Sequence, residues 1–321
     1  MAQNRQAGRR RGPPASLGHA SKLKTIAVLL LLPHSHALSP SRWASDAIAR
    51  AASLRTELSL PSLHAQTLCD RPSILHVRGL FSDAECDAIV EQAMDSGLMR
   101  PSRVGTADGT GYEENSAIRS SQECVLAPDG VLALPDGALP VCAARRLHRL
   151  LGDVAHPDHV EGPKVVQYRG TGQHYSEHYD WSPQLAASAA GQRTMTALVY
   201  LSTVCADEGG CTFFPRFGLR VPPERGSVLV WSNLDDEGEP DRETLHGSEP
   251  MLVGAGEPSE KWVVNFFYRE RSFFELAVAS LEERQAAEAA EAAEAAGAGA
   301  APAGHGRRTA SVEASPSIAA H

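Results

Sequence analysis

The sequence predicts a mainly β fold with supporting helices, an antiparallel sandwich or barrel, and three observations carry that prediction. From Lys164 onward, runs rich in β-branched and aromatic residues (Val165–Arg169, Thr196–Ser202, Thr212–Phe214, Ser227–Trp231, Met251–Val253 and Trp262–Tyr268) are separated by turns without intervening helical patterns. Upstream of Lys164, helical signals are few and short. The 42% hydrophobic content of the 321 residues is ample for one packed core.

The chain opens on a basic stretch with Arg9-Arg10-Arg11, Lys22 and Lys24, followed by the apolar run Thr25–Leu32 and then by Pro33-His34-Ser35-His36-Ala37. A positive region, a short apolar run and small residues at Ser35 and Ala37 read as a secretory leader over 1–37, with the endoplasmic reticulum lumen as destination. Arg-rich, acid-poor leaders also direct proteins into mitochondria or plastids, and that alternative stays open. The apolar run is too short to span a bilayer, and no other stretch approaches that length. The first 45 residues carry seven Lys or Arg and no acid, so the remainder carries −16, the total of −9 less those seven. An acidic body argues against nucleic acid as a partner, because phosphate contacts need a basic surface.

Residues 38–72, rich in Ser, Pro and Ala with a short helical stretch near Ser45–Glu57, predict a flexible lead-in to a folded domain over 73–281. Ser82-Asp83-Ala84-Glu85 is a capping box, and Cys86, Ile89, Val90 and Ala93 follow at helical spacing up to Gly97. Residues 99–117 read as a long loop. A second helix, Cys142 to Leu151, has Ala143, Leu147, Leu150 and Leu151 on one side. A further helix starts after Phe274, but the Ala/Glu-rich segment 282–321 has little to bury and predicts a disordered tail.

His178-Tyr179-Asp180 is the stretch with the most chemistry. Two positions apart on a strand, His178 and Asp180 leave the same face, and His246 is the candidate third ligand. Two imidazoles and one carboxylate leave three open positions on an octahedral ion, which suits a non-haem Fe(II) oxygenase, and the lack of cysteine ligands favours Fe(II) over zinc. Taken singly, these residues read equally as core histidines and a turn aspartate. The six cysteines, Cys69, Cys86, Cys124, Cys142, Cys205 and Cys211, fit either disulfides, with Cys205 facing Cys211 across a turn, or small buried thiols.

In order and spacing, several motifs together resemble the catalytic domain of the prolyl 4-hydroxylase family of 2-oxoglutarate/Fe(II) dioxygenases over residues 74–270. They are Ile74–Val77, Arg119-Ser120-Ser121, Val165–Tyr168, Gly172–Asp180, Arg193, Leu198–Ser202, Gly209–Pro215, Arg225-Gly226-Ser227, Leu245-His246-Gly247 and Lys261-Trp262. The resemblance implies a double-stranded β-helix, or jelly roll, with helices supporting one sheet. It implies His178, Asp180 and His246 as the catalytic iron ligands and Lys261 as the cation for the far carboxylate of 2-oxoglutarate. Tyr168 is implied as a further partner of that carboxylate, and Tyr175 as lining the same cavity. Arg193 and Arg119 fall near the substrate groove, and 99–117 becomes a lid over it.

The fifteen residues from His246 to Lys261 exceed the family interval, and Gly254–Glu260 reads as a hairpin loop absorbing the excess. One more residue than usual also lies between Tyr168 and Tyr175. The reaction implied is hydroxylation of proline C4 in a proline-rich or collagen-like polypeptide. It consumes O2 and 2-oxoglutarate, releases succinate and CO2, and is supported by L-ascorbate. Lys261 reads alternatively as a surface lysine, the tyrosines as core residues and the arginines as surface groups. The competing functions are hydroxylation of another side chain or a small molecule, and a non-catalytic jelly-roll binding module. Whether a partner subunit is needed is not written in the sequence.

Overall fold

The computed structural model describes residues 42–106, 111–252 and 260–298. The leader and residues 254–259 of the expected hairpin loop lie outside the described residues. The helices are α1 (Trp43–Glu57), α2 (Asp83–Asp95), α3 (Leu139–Leu151), α4 (Pro183–Ala187) and α5 (Phe273–Ala298). The strands run β1 (His64–Cys69), β2 (Ile74–Arg78), β3 (Arg100–Pro101), β4 (Val104–Gly105), β5 (Tyr112–Glu113), β6 (Gln122–Val125) and β7 (Lys164–Arg169). After them come β8 (Tyr175–His178), β9 (Arg193–Tyr200), β10 (Thr212–Phe214), β11 (Leu219–Val221), β12 (Val228–Ser232), β13 (His246–Ser248) and β14 (Glu260–Arg269).

Eight strands form one sheet in the order β1-β2-β12-β9-β14-β7-β6-β3, and four form a second in the order β11-β10-β13-β8. The period of two along a strand sorts the side chains of the large sheet. Met195, Ala197 and Val199 of β9, Val228 and Val230 of β12, and Val264, Phe266 and Tyr268 of β14 pack with α1, α2 and α3. The alternate positions, Leu198 and Tyr200, Leu229 and Trp231, and Val263, pack instead with Phe214 of β10 and Val221 of β11. Helices on one face and a second antiparallel sheet on the other make the double-stranded β-helix that the resemblance implied.

The capped helix forms as read. Ser82 Oγ accepts from the Glu85 amide at 3.3 Å, the Glu85 carboxylate accepts from the Ser82 amide at 2.9 Å, and Cys86, Ile89 and Ala93 are buried. In α3, Pro140 sits in the first turn, where its missing N–H costs nothing, and Leu147, Leu150 and Leu151 face the core. Every cysteine is a free thiol, Cys205 exposed and Cys211 buried.

Four expectations are corrected. The described part of the segment expected to be a flexible lead-in, from Trp43 on, is part of the folded body. Trp43, Ala44, Ala47, Ala51 and Leu54 of α1 are buried in the helix-side core, and β1 pairs antiparallel with β2. The small, scattered apolar residues of α1 give a weak signal in isolation, yet their i, i+4 spacing makes a stripe once α3 covers it. The tail expected to be disordered from 282 continues α5 to Ala298, although every side chain from Glu282 to Glu291 is exposed. Ala and Glu are strong helix formers and need no partner face to favour this backbone. Of the expected strand Met251–Val253, Met251 and Leu252 are not in a strand, and Val253 lies outside the described residues. Met251 instead makes one isolated bridge to Gly209, and its amide and carbonyl bond Gln173 and Gly172. Within 99–117, β4 and β5 form a short hairpin.

Trp43 is 1% exposed. Trp43→Ala is expected to cost about 3–5 kcal/mol and to lower the melting temperature by roughly 10 °C. A thermal melt unchanged by the substitution would return α1 to the status of a lead-in.

Candidate metal centre and its cavity

The centre is built where the small sheet brings two histidines together. β8 and β13 are antiparallel neighbours with His178 directly opposite His246, and their rings lie 4.3 Å apart. Each Nδ1 is bonded to the main-chain oxygen two residues back, His178 to Ser176 at 2.9 Å and His246 to Thr244 at 2.8 Å. A carbonyl only accepts, so both Nδ1 atoms carry the hydrogen and both Nε2 atoms turn a lone pair inward. The carboxylate of Asp180 meets them, Oδ1 at 3.7 Å from His178 Nε2 and Oδ2 at 3.6 Å from His246 Nε2. All three donors fall within 4.8 Å of one another.

Asp180 arrives by a different route from the one expected. β8 ends at His178, and Asp180 lies in the bend beyond it, off the strand. The chain is drawn off the sheet by Tyr179, whose hydroxyl donates to Arg242 O at 3.2 Å, and by Trp181, whose indole donates to Asp241 O at 3.0 Å.

Protonation favours ligation. Burial, reinforced by His246, pulls the His178 imidazole down to about 3. Burial alone would raise the Asp180 carboxyl, but the two imidazoles, Arg193 and the Thr196 hydroxyl outweigh it and hold the group below the ordinary carboxylate range. A neutral imidazole and an ionised carboxylate are the forms a metal requires. Two nitrogens and one oxygen without sulfur, converging at the wall of a cavity, fit Fe(II).

That cavity has a volume of about 350 Å³, within the range of small-molecule sites. Lys261 lines it, 1% exposed, opposite Tyr168 in the β14–β7 ladder. Its ammonium donates to Gly210 O at 2.7 Å and Ser248 Oγ at 2.8 Å, and sits 5.0 Å from the Tyr168 ring. Burial pulls it down to about 7, against the opposing pull of Cys211 and Glu249. A buried amine bonded to two neutral oxygens is able to pair with an anion. Gly210 has φ 67, and a Cβ there would stand 2.7 Å from Met251 Sδ, so glycine is needed for the turn that aims its carbonyl at Lys261. The surface-lysine alternative is thereby removed.

The other expected residues also line this cavity. Tyr168 is buried and its phenol pushed up, first by burial. Tyr175 stacks on His178 at 3.6 Å, under the Arg119 guanidinium 4.5 Å away, and burial pushes its phenol up to about 12. Arg119 is paired with Glu123 at 3.0 Å. Arg193 is held in a fork by Glu161 at 2.8 and 2.7 Å and stacks over Phe267 at 3.8 Å. It reaches the cavity because β9 carries one extra residue at Thr194 relative to β14, and such a bulge re-aims the side chain beyond it. Both arginines are therefore fixed members of the wall rather than unpaired surface groups.

Sequence reading missed Ser248, Thr196 and Glu161. Ser248 is two residues from His246 on the same short strand, and Thr196 is a lone polar residue within the apolar run Met195–Tyr200, which is the signal each offered. For Glu161 there was none, since its partners Arg193 and Arg269 are distant in sequence.

Residues 163–269 match the sequence profile of the 2OG-Fe(II) oxygenase superfamily. Prolyl 4-hydroxylase subunit alpha-3 of Homo sapiens is 39% identical over 129 residues, covering 39% of this chain, and the chain spans only 22% of that subunit's length. Probable prolyl 4-hydroxylase 9 of Arabidopsis thaliana is 28% identical over 231 residues, 67% of this chain and 75% of the plant protein. Among solved structures, the viral collagen prolyl hydroxylase of Paramecium bursaria Chlorella virus-1 in its 2-oxoglutarate complex aligns with a TM-score of 0.46 at 24% identity, over 63% of this chain and 98% of the viral one.

Proposed function

We propose that the chain carries a prolyl 4-hydroxylase-like 2-oxoglutarate/Fe(II) oxygenase domain and hydroxylates peptidyl proline, with 2-oxoglutarate and O2 as cosubstrates, a reading supported by the profile match over 163–269 and by the similarity to prolyl 4-hydroxylase subunits. The observation that carries this reading is the placement of two complementary features in one cavity: the His178, Asp180 and His246 donors, and the buried ammonium of Lys261. A dicarboxylate with one end at the metal and the other at Lys261 satisfies both. Bound Fe(II) would supply the O2-dependent oxidative decarboxylation of 2-oxoglutarate to succinate and CO2 and the hydroxylation coupled to it.

The protein's own part is positioning and exclusion of water. Lys261, Ser248 and Tyr168 form the far end of the cosubstrate site. Tyr175 and Arg119 brace His178. Arg193, Tyr112 and Arg103 stand at the wall where a polypeptide would enter. The substrate class proposed is a proline-rich or collagen-like polypeptide. We also propose ascorbate dependence and, from the basic and apolar leader over 1–37, passage through the secretory pathway. No described helix is long and apolar enough to cross a membrane.

The test is incubation of the purified full chain with Fe(II), 2-oxoglutarate, ascorbate and a proline-rich peptide under air. Succinate release together with a peptide mass gain of one oxygen atom is expected. Succinate release without the mass gain would overturn the proline assignment.

A further inference from the structure

We infer that Thr196 and Asn233 form a positioning relay that fixes Asp180 as a one-oxygen metal ligand. This rests on the reading of His178, Asp180 and His246 as a metal centre. Thr196 Oγ1 lies 2.7 Å from Asp180 Oδ2, and Asn233 Nδ2 lies 3.0 Å from Thr196 Oγ1. Thr196 and Asn233 are fully buried.

The direction of the relay follows from chemistry. An ionised carboxylate only accepts, so the single hydroxyl proton of Thr196 must go to Asp180. The threonine oxygen can then only accept from Asn233, which turns the amide nitrogen toward it. The amide oxygen is left facing away, and Asn233 Oδ1 is buried without a hydrogen-bond partner. Leaving that oxygen unpaired is costly, and a buried orphan of this kind calls for a reason. Holding the threonine proton on Asp180 supplies one.

The relay stands on rigid parts. Thr196 lies in β9, between Trp231 of β12 and Phe267 of β14. The Asn233 main chain donates to Thr194 O at 2.9 Å and accepts from Asp241 N at 3.0 Å. With Oδ2 carrying the hydroxyl hydrogen bond, the carboxylate is biased toward ligation through Oδ1. A carboxylate gripping with both oxygens would take one of the three positions that a two-point cosubstrate and O2 need.

The test compares Thr196→Val, which keeps the β-branch and loses the hydroxyl, with Thr196→Ser, which does the reverse, and with Asn233→Ala. Mn(II) affinity, the visible spectrum of the Co(II)-loaded protein and the melting temperature without metal are measured on the full chain. Removing a partner of a metal ligand weakens metal binding about 10–100-fold. That loss is expected for Thr196→Val, together with an altered Co(II) spectrum and a nearly unchanged metal-free melting temperature. Thr196→Ser should restore both metal readouts, and Asn233→Ala should shift them in the same direction as Thr196→Val. Wild-type Mn(II) affinity in both Thr196→Val and Asn233→Ala would overturn the relay alone. A wild-type protein that binds neither ion would overturn the metal centre beneath it. A Thr196→Val protein that melts far below wild type, without rescue by serine, would assign Thr196 to packing and overturn the relay as well.

Discussion

His178→Ala is expected to lower divalent-metal affinity by more than about 100-fold and to abolish turnover, because even the outer partners of a ligand cost about 10–100-fold. The fold should persist, since the His178 side chain is 19% exposed and its removal empties no sealed core. Asp180→Ala and His246→Ala should fail in the same way. His246 also packs against Trp231, with ring centres 4.7 Å apart, so its removal should in addition lower the melting temperature. Mn(II) titration of the three variants checks this. Undiminished binding in any of them would strike that residue from the centre.

Lys261→Ala is expected to weaken 2-oxoglutarate binding by about 2–5 kcal/mol, roughly 30-fold to several thousand-fold, because the bound carboxylate would be left buried without its cation. A second signature is the pH dependence. Burial lowers Lys261 from 10.5 to about 7. Below pH 7 folded and unfolded chains both carry the proton, and the cost of burying it is present in full. As pH rises through 7 the folded chain releases the proton while the unfolded chain keeps it up to about 10.5, so this group adds stability across that window. A carboxylate beside Nζ favours the ammonium. Binding therefore takes up a proton, and the apparent Kd should rise up to about tenfold per pH unit above 7. Calorimetric titration of the Mn(II)-loaded protein across that range is the measurement. A Kd flat with pH, and unchanged in Lys261→Ala, would place the anchor elsewhere.

The parts of this molecule that could be read in its sequence are those that depend on neighbours along the chain. Ser82 and Glu85 cap a helix within one turn, and β7, β9, β12 and β14 announce themselves through local composition. His178 and Asp180 were legible for the same reason, although Asp180 reaches the centre from a bend rather than a strand. What stayed hidden depends on register. Thr196 meets Asn233 only because β9 and β12 pair, and Arg193 enters the cavity only because of one extra residue at Thr194. The place of α1 was hidden by composition, since alanines become a buried face only when α3 lies across them. Met251–Val253 looks like a strand because it is apolar, but the Met251 amide and carbonyl serve the turn at Gly172.

The two-sided β9 also sets how this protein can change over evolutionary time. Odd positions Met195, Ala197 and Val199 answer to the helices, and even positions Thr196, Leu198 and Tyr200 to the chemistry and the apolar layer under it. Because the two sets share no face, each can be substituted without consulting the other, and substrate preference can drift while the helix-side core stays constant. A deletion of one codon inside the strand has no such freedom. It would turn every residue on one side of the gap to the opposite face, for example sending the Thr196 hydroxyl to the helices and Met195 toward the metal. In a scan of every single-residue substitution and deletion across 195–200, deletions should therefore be the most damaging class, while among substitutions those at Met195, Ala197, Val199, Leu198 and Tyr200 lower heat resistance and those at Thr196 lower metal affinity first.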